Sequence, residues 1–326
     1  MGGAARAADA EKVRMTARGS AISLIVNQRA GELETSLPLN ELIATLERYG
    51  LRPELILVEN GSDTRDAARG ALGRGAKTLV AAGGDGTVSA VASTLVDSDA
   101  ILGVLPTGTL NHFARDLQIP LDIEDAASVL AHGAVAKIDV GEVNGRTFIN
   151  NSSLGIYPRM VAWREEYRRK GLNKWTALFW AAVTALRRMP FLRLRLTAAG
   201  TEVAALTPMI FIGNNEYVIE GLKAGTRRRI DAGCLFIYAV KARTPTRLIH
   251  LSLLALLGRL RQAQACDSLL VAEAWIETRR RWVKVSLDGE VARLETPLHY
   301  RTRPAALRVI VPQRVIVPEK ESTFEP

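Results

Sequence analysis

Cysteine is scarce in this chain of 326 residues: only Cys234 and Cys266 occur. Two thiols cannot build a disulfide framework, which fits a reducing cytosol, and each is expected as a small buried apolar residue. No apolar run reaches the roughly 18 to 20 residues that a membrane span needs. The most apolar stretches, Trp175–Leu186 and Leu248–Leu260, stop well short. Met1–Ser20 has no apolar h-region, so no secretory signal is read, and residues 1–19 are expected as a disordered or tag-like N-terminus. Internal repeats are missing. With 26 glycines, 13 prolines and 48% hydrophobic residues, collagen-like, low-complexity and wholly disordered chains are excluded. Acidic residues are in deficit: 34 against 43 lysines and arginines leave a formal charge of +9. An anionic partner follows, although charge alone does not choose between nucleic acid, anionic lipid and nucleotide.

What is present has two grammars. From about residue 20, short apolar runs (Ala21–Val26, Leu55–Val58, Thr78–Ala82, Ile101–Leu105) alternate with helical patterns at Ser36–Tyr49, Asp63–Arg74 and Val88–Leu95, the second capped by Ser62 or Asp63. Strand–helix alternation predicts an open parallel α/β sheet domain over residues 20–140. Past residue 138, Asn144-Gly145 marks a hairpin between Ile138–Val143 and Thr147–Asn150. Strands are then expected at Phe191–Thr197, Glu202–Leu206, Met209–Gly213, Leu235–Val240, Leu269–Ile276, Trp282–Leu287 and Leu307–Val311. That predicts a mainly antiparallel β-sandwich domain over 141–312, with helices at about 159–188 and 245–262 and a tail at 313–326. No flexible linker is visible, so the two domains are expected to share a rigid cleft.

The most informative segment is a buried strand running into Gly83-Gly84-Asp85-Gly86-Thr87 and then a helix. Glycines let a backbone approach a ligand closely, and a helix N-terminus presents free N–H groups with a positive dipole end, so the turn suits phosphate. Asp85 repels phosphate unless Mg²⁺ bridges the two. Taken alone, the segment is also a tight turn with Asp85 and Thr87 as caps. Neither decoy holds: Gly84-x-Gly86 lacks the third glycine of a dinucleotide fingerprint, with Ser89 at that position, and Gly70–Thr78 has a P-loop outline in the wrong context. The next strand ends in Pro106-Thr107-Gly108-Thr109-Leu110-Asn111-His112-Phe113-Ala114-Arg115, a second small-residue turn before a helix. Two such turns at the carboxyl ends of neighbouring parallel strands converge on one crevice.

These two segments, together with Lys137-Ile138-Asp139-Val140-Gly141 and Leu287-Asp288-Gly289-Glu290, resemble the diacylglycerol kinase catalytic-domain family, which includes bacterial lipid kinases and sphingosine kinases. The likeness covers roughly residues 20–312. Gly-Gly-Asp-Gly alone is shared with NAD kinases and phosphofructokinases, whose fold the first domain is expected to have; the four motifs together are specific. The resemblance implies ATP and Mg²⁺ as cofactors and a lipid hydroxyl, most simply that of a diacylglycerol, as acceptor. It places nucleotide binding on Asn27, Gly83, Gly84, Asp85, Gly86, Thr87, Gly108, Thr109 and Asn111. Asp85 and Glu290 are the catalytic residues it implies, Glu290 as general base, and Asp85 with Asp139 attends the metal, Asp139 through water. Read alone, Asp288-Gly289-Glu290 is a hairpin turn.

Departures from the family pattern occur at Gln28, where proline is usual, at His112, where aspartate is usual, and at Ala232 in Asp231-Ala232-Gly233, which lacks the second aspartate of a structural metal site. His112 is read as a hydrogen-bonding or capping residue. A catalytically impaired nucleotide- or membrane-binding sensor and a kinase of a soluble acceptor are the alternatives.

Residues 159–195 hold ten basic side chains against Glu165 and Glu166, interleaved with Trp163, Tyr167, Trp175, Phe179 and Trp180. Such a helix suits an anionic membrane surface, and Arg227–Arg229 and Arg279–Arg281 would extend the patch. A solvated helix with its aromatic stripe packed on the β domain is the alternative. The expected setting is cytoplasmic, peripheral at the inner membrane face, with no nucleic-acid partner.

Overall fold

The computed structural model describes residues 22–27, 38–188, 191–218, 226–227, 229–242, 244–256 and 266–313. Gln28–Gly31 and most of the two ends named above lie outside those residues. The chain divides into two units: residues up to Lys137 together with Arg308 onward, and Ile138–Leu307.

The first unit alternates β1 (Ile22–Asn27), α1 (Leu39–Arg48), β2 (Glu54–Val58), α2 (Gly61–Gly73), β3 (Thr78–Gly83), α3 (Asp85–Leu95), β4 (Ile101–Pro106), α4 (His112–Asp116) and α5 (Ile123–His132). Its strands lie in the order β2-β1-β3-β4, all parallel, as the alternation predicts. Every residue of β3 and β4 is buried, as parallel strands covered by crossover helices require. The register pairs Gly83 with Pro106, so the two strands end level.

Local caps differ from expectation. Asn60, rather than Ser62 or Asp63, caps α2 by accepting from Asp63 N at 3.0 Å. Helix α3 begins at Asp85, three residues before the expected Val88. Asp122 accepts from Glu124 N and Asp125 N to start α5, a helix absent from the sequence reading.

The chain leaves the first unit within β5 (Ala134–Val143). There follow β6 (Arg146–Phe148), β7 (Asn151–Gly155), α6 (Ile156–Arg169), α7 (Lys174–Arg188), β8 (Leu192–Ala198), β9 (Thr201–Thr207), β10 (Met209–Asn214), β11 (Leu235–Val240), α8 (Pro245–Leu256), β12 (Cys266–Val271), β13 (Glu273–Thr278), β14 (Trp282–Leu287), β15 (Glu290–Glu295) and β16 (Leu298–Val311). The expected Asn144-Gly145 hairpin is present, with φ of 46° and 78°. An antiparallel sheet runs β12-β11-β10-β7-β14-β15, and a second antiparallel run is β16-β13-β8-β9. Leu154, Ile210, Ile212 and Val285 from the first meet Leu194, Ile276 and Tyr300 from the second in one buried cluster, so the unit is a sandwich. Tyr300 is fully enclosed; burial pushes its phenol pKa up, and its hydroxyl is satisfied by Ser152 Oγ at 2.9 Å.

The expected single strand Leu269–Ile276 is two strands. It breaks at Ala272, and β12 and β13 join different sheets. Apolar composition alone cannot show such a crossing, because both halves are strand-forming.

Candidate functional site

In the first unit the level ends of β3 and β4 bring both small-residue turns together. A Cβ on Gly108 would lie 2.3 Å from Gly84 Cα and 2.9 Å from Gly84 N, and one on Gly84 would lie 3.4 Å from Gly108 Cα. Only glycine allows this backbone contact. A Cβ on Gly83 would strike the Thr87 side chain at 2.4 Å, and Thr87 Oγ1 accepts from Asn27 Nδ2 at 3.1 Å, tying the end of β1 to the turn.

Asn111, in the left-handed region at φ 50°, folds its side chain back into the second turn. Its Oδ1 accepts from Gly108 N, and its Nδ2 donates to Gly108 O at 2.8 Å and Pro106 O at 3.3 Å. Asp85 Oδ1 accepts from Phe113 N at 3.0 Å, so the carboxylate joins the two turns rather than capping its own helix. Gly84, the N-cap of α3, supplies no side chain to the first-turn N–H groups. Thr109 and His112 are exposed. The result is a rigid cradle of backbone donors at a helix N-terminus of eleven residues, with one carboxylate at its lip.

In the second unit Asp139 is 2% exposed and is held by Gly233 N at 2.6 Å and Ala305 N at 3.0 Å. Both carboxylate oxygens therefore clamp backbone. Asp231 pairs with Arg229 through two contacts of 3.0 and 3.2 Å, and Ala232 N donates to Asn215 Oδ1. Cys234 is half-buried rather than core; burial, then the nearby Asp139, pushes its thiol pKa up, so it stays protonated.

Asp288 and Gly289, at φ 47° and 89°, form the tight turn between β14 and β15. The Asp288 carboxylate accepts from Ile149 N, Asn150 N and Asn151 N at 2.8 to 3.0 Å. Glu290 is the first residue of β15 and is exposed. Asp288 thus shapes the turn that presents Glu290. Asp288→Ala should lower stability by about 3 kcal/mol, since three donors lose a charged acceptor; a urea melt with an unchanged midpoint would show that water replaces it.

Sequence reasoning placed Arg227 in a surface patch, and the structure corrects this. Arg227 is 7% exposed, donates to Ile149 O at 2.7 Å and Asn150 Oδ1 at 3.2 Å, and lies 5.9 Å from the Tyr217 ring centroid. Asn214 is buried beside it and donates to Asp139 O and Ile149 O. The buried polar group of Asn150, Asn214 and Arg227 was missed; the one hint was two asparagines, Asn214-Asn215, ending an apolar strand. Among the described residues, no three His, Cys, Asp or Glu side chains gather to hold a metal by themselves.

The sequence model of the diacylglycerol kinase catalytic domain matches residues 21–143. A Pseudomonas aeruginosa protein named "Probable lipid kinase YegS-like" is 33% identical over 256 residues, covering 77% of this chain and 82% of that one. The Staphylococcus aureus (strain MRSA252) "Diacylglycerol kinase" is 27% identical over 237 residues, 72% and 75% of the two chains. A crystal structure of a diacylglycerol kinase from Bacillus anthracis superimposes with a TM-score of 0.65 at 20% identity, covering 90% of this chain and 98% of that chain. The chain belongs to the diacylglycerol kinase catalytic-domain family.

Proposed function

We propose that this chain is an ATP-dependent lipid kinase that transfers the γ-phosphoryl group of ATP to a lipid hydroxyl of the diacylglycerol type. The observation that carries the nucleotide half is the backbone contact of Gly84 with Gly108 beside the start of α3. Phosphate oxygens suit this cradle because backbone N–H groups and the helix dipole both favour negative charge. Gly84, Gly86 and Gly108 keep the floor free of side chains, Asn27 fixes Thr87, and Thr109 stands exposed at the rim.

The residues fit Mg²⁺ in one respect: Asp85 commits Oδ1 to Phe113 N, while Oδ2 accepts no hydrogen bond among the described residues. One carboxylate with phosphate oxygens and water is an ordinary Mg²⁺ environment. Mg²⁺ would neutralise charge on the transferring phosphoryl group. Asp139 commits both carboxylate oxygens to backbone donors. Glu290 takes the proton of the lipid hydroxyl as that oxygen attacks phosphorus and ADP departs. The test is γ-labelled ATP with Mg²⁺ and mixed micelles of diacylglycerol. Label in lipid is expected; ATP binding without transfer would instead favour a sensor.

The lipid stays in a bilayer, and α7 supports contact with one. Its buried stripe is Ala177, Ala181 and Ala185, while Trp175, Phe179 and Trp180 are 71%, 61% and 48% exposed. Small residues therefore face α6, with Tyr167 Oη bridged to Thr184 Oγ1, and large aromatics face outward. That inverts the usual amphipathic pattern: Trp175, Phe179 and Trp180 are exposed, whereas Trp163 of the same interleaved set lies against β14. No helix among the described residues is long and apolar enough to cross a membrane.

Liposomes containing phosphatidylglycerol should retain the protein at low salt and release it as salt rises, because each basic residue near such a surface contributes about 1 kcal/mol. Trp175→Ser with Phe179→Ser should weaken retention roughly tenfold or more. Equal retention on neutral liposomes would refute the electrostatic account.

A further inference from the structure

A cavity of about 730 Å³ lies within the second unit, between α6 and the face of β14 and β15 opposite the sandwich core. Val283, Val285 and Leu294 point into the core, so strand alternation turns Trp282, Lys284 and Arg293 to the other face. Helix α6 contributes Arg159, Trp163, Glu166 and Arg169, spaced at three and four residues along one stripe. Arg280, in the turn before β14, completes the cationic wall.

The wall therefore has five cations and one acid, and that acid is engaged elsewhere: Glu166 binds Lys170 Nζ at 2.7 Å. Among the described residues, none of the five cations enters an ion pair. Lys284 and Arg293 are direct partners across the β14–β15 ladder, a position where like charges destabilise a sheet. Arg159 is half-buried; burial, and then Arg280, hold its guanidinium below the usual arginine range. Two like-charge pairs lie on one half-open surface, with Arg159 half-buried and Arg169, Arg280, Lys284 and Arg293 exposed, and they leave an unbalanced positive potential that an anion would offset. The rest of the wall is apolar or aromatic, with Arg293 5.4 Å from the Trp282 ring centroid and Phe191 and Leu192 nearby.

We propose that this cavity binds the phosphate head of an anionic phospholipid, the cations taking the phosphate and Trp163, Phe191 and Trp282 the adjoining carbon skeleton. Its volume suits a glycerophosphate with the first carbons of its chains, within the usual range of ligand pockets. Guanidinium groups match phosphate oxygens through paired N–H donors. The site is separate from Glu290: three residues along β15, Arg293 stands on the other face of the strand. The binding does not depend on whether the chain transfers phosphate.

The experiment is isothermal titration of the full chain with dihexanoyl phosphatidate below its micelle concentration, with dihexanoyl phosphatidylcholine, dihexanoylglycerol and inorganic phosphate as the other arms. Saturable binding of phosphatidate at one per chain is expected, with the neutral and zwitterionic lipids weaker by roughly tenfold or more. Arg159→Ala, and separately Lys284→Gln with Arg293→Gln, should each weaken it by a similar factor. The double variant should melt at or above the wild-type temperature without ligand, since it removes a repulsive pair; a lower melt would show that the pair is structural and overturn the proposal. Absence of saturable binding, or binding that both variants leave intact, also overturns it. Inorganic phosphate bound as tightly as phosphatidate would overturn the lipid assignment.

Discussion

Gly108→Ala is expected to reduce ATP affinity by about a hundredfold and to bring phosphoryl transfer to background. The added carbon would sit 2.3 Å from Gly84 Cα and 2.8 Å from Asn111 Oδ1, and neither obstacle is a flexible chain end. Relief requires the two turns to part by about 1 Å, a misplacement of the kind that costs roughly 10²-fold where alignment governs the reaction. Gly86→Ala is the companion measurement. Gly86 is exposed in the first turn of α3, and a Cβ there meets nothing within 4 Å. The substitution should raise stability by about 0.5 to 1 kcal/mol while still weakening ATP, because the methyl group would occupy space offered to a phosphate. Thermal melts paired with fluorescent-nucleotide titration separate the two effects. Wild-type ATP affinity in both variants would detach these turns from the nucleotide.

Glu290→Gln should lower single-turnover phosphoryl transfer to lipid by roughly 10² to 10⁴ while leaving ATP affinity unchanged. The change keeps size and removes the proton acceptor. It lies at the exposed end of β15, outside the buried cluster, so the fold should survive it. Asp288→Ala, two residues earlier, should do the opposite: destabilise the turn and impair turnover only as far as the turn is lost. Full turnover in Glu290→Gln would remove this residue as the base and transfer attention to another carboxylate.

The first unit was legible because its signals are local. Continuous apolar runs at Thr78–Ala82 and Ile101–Leu105 are what doubly covered strands need, and the glycines after them have one steric purpose. The Asn144-Gly145 turn was equally plain. Legibility failed where partners are distant in sequence. Arg227 looked like one member of a basic run, yet its partners, Ile149 and Asn150, stand more than seventy residues away. The three donors held by Asp288 come from Ile149–Asn151, so the motif alone could not divide structural aspartate from candidate base. The aromatic stripe of α7 could not be assigned inward or outward from spacing, because alanines at 177, 181 and 185 already satisfy the packed face. The cationic cavity joins three stretches of chain, none of them unusual alone.

Because the second unit is spliced into the first through β5 and β16, the first unit is the last part that a ribosome can complete. Arg308 and Val309 pair with Ile101 and Leu102 of β4, and they emerge some two hundred residues after it. Until then β4 has an unprotected flank, a template for association with other nascent chains. A chain cut just before Arg308 would keep every loop residue discussed above and still carry that sticky border, so its failure would be one of solubility rather than chemistry.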